Sequence, residues 1–161
     1  MKVIDNFLPI EEFKKIKEVV CGINFPWYYN NVSSHKEDNI PMLNHIFYNY
    51  AEPNKVLSHY INLLEPLFHR LEITGLIRVK ANLVFPSKKR EKEHIDYPFK
   101  NSLTAVYYLN TNNGGTKIKN KLITSKENKI LILDDNTPHT VVRQTDSEQG
   151  RFVININYYT V

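Results

Sequence analysis

Three residues in the second half of this chain have the types and spacing to hold a metal ion. His94 and Asp96 stand one residue apart in His94-Ile95-Asp96, and His139 closes the run Asp134-Asp135-Asn136-Thr137-Pro138-His139. On an extended strand residues i and i+2 project from the same face, so the imidazole and the carboxylate of the first pair can converge on one ion. The third ligand must come from elsewhere in the fold, and His139 follows a turn at the start of a strand-like segment. Two histidines and one carboxylate occupy one face of an octahedron and leave three positions open. Dioxygen chemistry on Fe(II) with a chelating cosubstrate needs such a set. The same ligands would also serve Zn²⁺ in a hydrolytic site, so they do not by themselves name the metal. With six histidines and six aspartates in the chain, a lone His-x-Asp arises by chance about once in five such sequences. The weight of the motif therefore rests on what surrounds it.

The elements that must position these residues differ between the two halves. In the first 75 residues Val3 to Phe7 reads as a short strand. Pro9 to Val20 reads as a helix, with Phe13, Ile16, Val19 and Val20 at helical spacing. Ile23 to Met42 passes from aromatic (Trp27-Tyr28-Tyr29) to polar (Ser33-Ser34-His35-Lys36) and reads as a long loop. Pro53 to Leu71 gives the clearest helical pattern, through Val56, Ile61, Leu63, Leu64, Leu67 and Phe68, with Pro66 as a kink or division.

After Gly75 the period changes to two. Ile77 to Phe85 alternates apolar and polar, and Leu103 to Leu109 is rich in β-branched and aromatic residues. Asn112-Asn113-Gly114-Gly115 is a turn signal, followed by short strands at 116–118 and 122–124 around a second turn. Lys129 to Leu133, His139 to Val142 and Arg151 to Val161 complete the set. Helices first and many short strands afterwards, without βα alternation, predict an antiparallel sandwich or jelly roll buttressed by helices.

At 161 residues and 42% hydrophobic content the chain is sized for one globular domain. Its single cysteine, Cys21, forbids an internal disulfide and predicts a reducing compartment. Met1 to Asp5 does not begin an apolar signal segment, and no stretch reaches membrane-spanning length, so a cytoplasmic protein is expected. The net charge of +4 suits an anionic substrate or a nucleic acid. The basic run Lys88-Lys89-Arg90, with Lys92, is diluted by Glu91 and Glu93 and reads as a solvated loop.

Residues from about 75 to 158 resemble the catalytic core of the prolyl-hydroxylase-like branch of the 2-oxoglutarate/Fe(II) dioxygenases. The matching segments, in the family's order, are His94-Ile95-Asp96, Ala105-Val106-Tyr107-Tyr108-Leu109-Asn110, Gly114-Gly115, Lys129-Ile130-Leu131-Ile132-Leu133-Asp134, His139, and Gly150-Arg151-Phe152-Val153-Ile154-Asn155. The resemblance implies a mainly β fold with flanking helices (α+β), a double-stranded β-helix of the jelly-roll, cupin-like kind with N-terminal helical support. Residues 1–161 would form one dioxygenase domain, with 1–74 as helical support and lid region and 75–161 as the β-helix core.

In that family pattern His94, Asp96 and His139 bind Fe(II), and 2-oxoglutarate chelates the iron through its keto oxygen and C1 carboxylate. Arg151 matches the position that pairs with the far C5 carboxylate, for which a guanidinium supplies two parallel charge-assisted hydrogen bonds. Tyr108 falls where relatives place a hydroxyl donor to the same carboxylate. Asn155 shares a strand face with Arg151 and is expected to line the cosubstrate pocket. Asn82 stands roughly where some relatives carry a tyrosine, which leaves open how the iron-proximal end of the cosubstrate is held. Arg143 lies too close to His139 for the family spacing and reads as a surface residue.

The implied reaction consumes O₂, converts 2-oxoglutarate to succinate and CO₂ and hydroxylates a substrate, with ascorbate as an accessory reductant. A prolyl or other residue of a peptide or protein is the expected target, a small molecule the other possibility. Residues 29–43 and 86–93 are candidate lid segments. Two other readings compete. A nucleic-acid demethylase of the same superfamily carries a second arginine six residues after the first, where this chain has Asn157. A non-catalytic metal-binding jelly roll needs no buried arginine. No membrane partner is expected, and the oligomeric state is not legible. His35, His45, His59 and His69 read as structural or surface residues, and Cys21 as a packing residue without a neighbouring base.

Overall fold

The computed structural model describes residues 1–31, 40–96 and 99–161. Ten strands are present among them: β1 (Lys2–Ile4), β2 (Tyr28–Asn30), β3 (Met42–Asn49), β4 (Ile73–Val84), β5 (Leu103–Tyr108), β6 (Gly115–Ile118), β7 (Lys121–Thr124), β8 (Lys129–Asp134), β9 (Thr140–Val142) and β10 (Arg151–Thr160). Two helices accompany them, α1 (Ile10–Val20) and α2 (Glu65–Arg70), the second preceded by a 3-10 segment, His59–Leu64.

The strands form two antiparallel sheets. Seven make a large sheet in the order β1-β8-β5-β10-β4-β3-β2, and three make a small one in the order β7-β6-β9. This is the jelly-roll, double-stranded β-helix architecture expected from the sequence. Helix α1 buries Phe13, Ile16 and Val20 against the outer face of the large sheet, where Tyr107, Ile130, Ile154 and Ile156 meet Leu64 and Leu67. The inner face carries Val106, Tyr108, Leu131, Leu133 and Val153 against Ile118 and Ile123 of the small sheet. Strand β5 is covered on both sides, which is why Ala105 to Tyr108 reads as an unbroken apolar run. The alternation of Tyr107 outward and Tyr108 inward follows from the strand's period of two.

Gly114 and Gly115 have a steric cause. A Cβ on Gly115 would lie 2.1 Å from the Ile123 carbonyl oxygen, and one on Gly114 would lie 2.7 Å from that of Val142. Backbone from both neighbouring strands of the small sheet fills the space a side chain would need. Asn128, at φ 59°, accepts from the Tyr107 hydroxyl (2.7 Å) and the Leu8 N–H (3.0 Å) through Oδ1 and donates to the Leu8 carbonyl (2.9 Å). One buried amide thus fastens the segment before α1 to the core.

The first 74 residues differ from the sequence expectation. They contribute three strands to the large sheet, not helical support alone. Strand β3 turns Met42 to the cavity and His45 and Phe47 to the outer core, and its register against β4 shifts between Ile46 and Tyr48. The helix expected over 53–71 is confined to 59–70. Upstream, Asn49 N–H donates to the Lys55 carbonyl and Leu57 N–H to that of Phe47, so tertiary backbone pairing overrides the helical pattern there. Pro66, without an N–H, is accommodated in the first turn of α2. Among the described residues no helix is long and apolar enough to cross a membrane.

Candidate metal centre

Beyond Val84 the chain leaves the large sheet, runs through 85–93 and returns to pair at a single point. The His94 N–H donates to the His139 carbonyl and the His139 N–H to the His94 carbonyl, both at 2.9 Å. This reciprocal bridge lies immediately before β9 and sets the two imidazoles side by side, with ring centroids 4.6 Å apart. Asp96 closes the group, its Oδ1 lying 3.3 Å from His94 Nε2 and 4.0 Å from His139 Nε2. One ligand atom from each of the three residues lies within 4.8 Å of the others. His139 Nδ1 lies 3.1 Å from the Thr137 carbonyl, which can only accept, so Nδ1 carries the proton and the Nε2 lone pair faces Asp96.

The electrostatics suit Asp96 and His139 to hold a metal. Burial alone would raise the Asp96 carboxyl. The hydrogen bond with His94 and the charges of Lys80, His139 and Arg78 outweigh it and hold the group well below the usual carboxylate range. Burial lowers His139 from its ordinary value against the pull of Asp96, which favours the neutral, ligating form. Asn157 Nδ2 donates to Asp96 Oδ2 (3.3 Å) and to Thr104 Oγ1 (2.9 Å), and Arg78 Nη2 lies 3.9 Å from Asp96 Oδ1. Asn157 thus orients the carboxylate through Oδ2, the oxygen that does not face the histidines.

Between the sheets, lined in part by these three residues, lies a small cavity of about 40 Å³. Its wall is a ladder of paired positions on β4 and β10: Val84 with Arg151, Asn82 with Val153, and Lys80 with Asn155, all six lining the cavity. The next inward step pairs Arg78 with Asn157, at the level of Asp96. Arg151 is 1% exposed, and its Nε and Nη1 have no hydrogen-bond partner among the described residues. Burial lowers the guanidinium from its ordinary value, yet it remains a cation across the accessible pH range. A buried cation with two unsatisfied donors is costly unless an anion meets it.

The remaining expected positions are placed as follows. Tyr108 is fully buried on the inner face and donates its hydroxyl to Thr116 Oγ1 at 2.8 Å. Thr116, not Tyr108, lines the cavity. Asn155 and Asn82 both line it, each with an unpartnered Oδ1. His45 is a core residue held between the Pro26 carbonyl and Ser58 Oγ, each 2.8 Å away. His35 and most of the 29–43 segment lie outside the described residues.

Arg143 overturns the sequence reading: it is not a surface residue. Its Nε donates to Glu91 at 2.6 Å, with the two side chains 1% and 0% exposed, and its other nitrogens donate to the Phe85 and Pro41 carbonyls. The same pair anchors the 86–93 segment at Glu91. Lys80 is the cavity residue that sequence reasoning missed altogether. Burial, with the repulsion of Arg78, pushes its ammonium down to about 8 despite Asp96.

No protein-family model matches the sequence, and no curated protein matches it at a significant level. Solved structures do resemble it. A prolyl hydroxylase from Trichoplax adhaerens, in complex with a hypoxia-inducible-factor oxygen degradation domain peptide fragment, aligns at a TM-score of 0.64 and 16% identity. The alignment covers 98% of this chain and 82% of that one. A Pseudomonas putida prolyl-4-hydroxylase aligns at 0.63 and 12%, covering 98% and 91%. The non-heme alpha-ketoglutarate-dependent epimerase SnoN of nogalamycin biosynthesis aligns at 0.69 and 12%, covering 98% and 76%. The fold is that of the 2-oxoglutarate/Fe(II) oxygenases, in the form found in prolyl hydroxylases.

Proposed function

We propose that this protein is an Fe(II)- and 2-oxoglutarate-dependent dioxygenase that hydroxylates a peptide or protein substrate. The observation that carries the reading is the pairing of the His94, Asp96, His139 cluster with a buried, unpartnered Arg151 in one cavity. A metal site alone fits several chemistries. A metal site with a solitary buried guanidinium fits a metal-chelating ligand that carries a second carboxylate.

The residues fit the implied groups. His94, Asp96 and His139 would hold Fe(II), whose bound form supplies the oxidising chemistry with O₂ and the 2-oxo acid. The chain's own part is binding, orientation and exclusion of water. Arg151 takes the far carboxylate, Asn157 and Thr137 orient two of the ligands, and Val106, Val141 and Val153 give the cavity its apolar wall.

For a peptide substrate the support lies at the sheet edge. Tyr28 and Tyr29 are 61% and 72% exposed on edge strand β2, whose Asn30 pairs with Met42 on the cavity wall. An open strand edge with aromatic side chains suits an extended peptide. The Trichoplax neighbour is itself held with a peptide. The demethylase reading loses support because Asn157, where that branch has an arginine, is spent on Asp96 and Thr104.

The test is succinate formation from 2-oxoglutarate by anaerobically Fe(II)-loaded protein after admission of air, with His94→Ala and Arg151→Met alongside. Turnover by the wild type and its loss in both variants supports the assignment. Failure of the metal-loaded wild type to bind 2-oxoglutarate at millimolar concentration overturns it.

A further inference from the structure

We propose that Lys80 is the second anion-binding residue of the cavity, its ammonium pairing with the metal-side carboxylate of the 2-oxo acid. The proposal rests on the dioxygenase reading above and assigns the end of the cosubstrate that Arg151 leaves unaccounted for.

The position of Lys80 on the β4–β10 ladder is the first argument. Arg151 stands opposite Val84, Lys80 opposite Asn155, and Arg78 opposite Asn157, which touches Asp96. At about 3.3 Å per residue, Lys80 lies roughly 13 Å along the strand from the Arg151 level and only about 7 Å from the level of Asp96. The lysine therefore stands between the residue for the far carboxylate and the metal ligands. Both long side chains line the one cavity together with His94, Asp96 and His139, so a ligand held there by Arg151 and the metal meets the lysine as well.

The second argument is charge. Among the described residues Lys80 makes no hydrogen bond or ion pair, although it faces the cavity. The one carboxylate that acts on it is Asp96, through space. A divalent metal on Asp96 would cancel that attraction and leave a partly buried ammonium beside a net positive centre. A carboxylate brought in by the chelating ligand restores the balance and receives charge-assisted hydrogen bonds. Arg78 does not substitute, because it is directed at Asp96 and does not line the cavity.

The experiment is a binding titration of anaerobic Fe(II)-loaded wild type, Lys80→Met and Arg151→Met with two ligands. 2-Oxoglutarate has both carboxylates, whereas 2-oxobutyrate keeps the keto-acid end and lacks the far one. Binding is read by calorimetry and by the visible band of the metal–keto-acid chelate, with metal affinity measured separately in the absence of ligand. Lys80→Met is expected to weaken both ligands by the same factor, at least tenfold, with metal affinity unchanged. Arg151→Met should weaken only 2-oxoglutarate, and Lys80→Arg should restore most of the loss. Equal binding of both ligands by Lys80→Met and wild type overturns the proposal and assigns the lysine to the substrate. Weakening of 2-oxoglutarate alone also overturns it, by placing Lys80 at the far carboxylate. If the metal-loaded wild type binds neither ligand, the dioxygenase reading falls and takes this proposal with it.

Discussion

His94 and His139 are joined through their main chains before any metal joins their side chains, each N–H donating to the other's carbonyl at 2.9 Å. Substitution of either imidazole leaves that bridge intact. His94→Ala and His139→Ala are therefore expected to lose metal affinity by at least a hundredfold. Their metal-free melting temperatures should stay within about 3 °C of the wild type, since a change of roughly 1 kcal/mol moves a domain of this size by 2–4 °C. Metal at a hundred times its dissociation constant adds about 2.7 kcal/mol to the wild type alone. Differential scanning fluorimetry with and without metal and chelator measures both effects.

Lys80 costs the fold stability. Its folded pKa, lowered to about 8 by burial, lies below the ordinary value of 10.5. Below pH 8 both folded and unfolded chains carry the proton and the penalty is fully present. Between 8 and 10.5 the unfolded chain holds more protons, so stability rises with pH. Lys80→Met should accordingly be more stable than wild type at pH 7, by on the order of 1–3 kcal/mol, with the gap shrinking toward pH 10. Urea unfolding at several pH values tests this, and a Lys80→Met protein less stable than wild type at pH 7 contradicts it.

Arg143 and Glu91 form a buried pair, and breaking such a pair is dearer than removing it. Arg143→Met alone removes the guanidinium that donates to the buried Glu91 carboxylate and should cost about 3–5 kcal/mol. The double variant Glu91→Leu/Arg143→Met should recover most of that loss. A double-mutant cycle by chemical denaturation gives the coupling directly.

Cys21 ends α1, and burial pushes its thiol up to about 11 against the influence of Lys17. Thiolate is the reactive form, so at pH 8 only about one molecule in a thousand carries it. Alkylation by iodoacetamide should be slowed on the order of a hundredfold in the folded protein relative to urea-unfolded chain at the same pH. Timed mass spectrometry reads the difference, and equal rates would contradict the burial.

What could be read from sequence was whatever is local or carries its own signal. His94-Ile95-Asp96 lies on adjacent residues, Gly114-Gly115 marks a crowded backbone, and Leu103 to Leu109 has the composition of a strand covered on both faces. Lys80 was missed for a physical reason. Arg78-Val79-Lys80-Ala81-Asn82 alternates as a strand with one face in water would, and a cavity wall produces the same alternation. Arg143 was misread because the partner that allows its burial, Glu91, is 52 residues away in the chain. The length of the 53–71 helix was hidden by backbone pairing of 55–57 with strand β3. These errors share a cause: in each, a distant segment decides the environment.

The central place of β10 sets the order in which this protein can be completed. Strands β4 and β5 are separated in the sheet by β10 alone, although β10 is the last of the ten strands to be synthesised. Until Arg151 to Thr160 emerges from the ribosome, the nascent chain holds two sheet fragments, each with an open hydrogen-bonding edge and an uncovered apolar face. Arg151, the buried arginine of the cavity, arrives on that same strand. Closure of the sheet and completion of the cavity are therefore one event, and a chain halted before residue 151 at once lacks one wall of its cavity and is poised to aggregate.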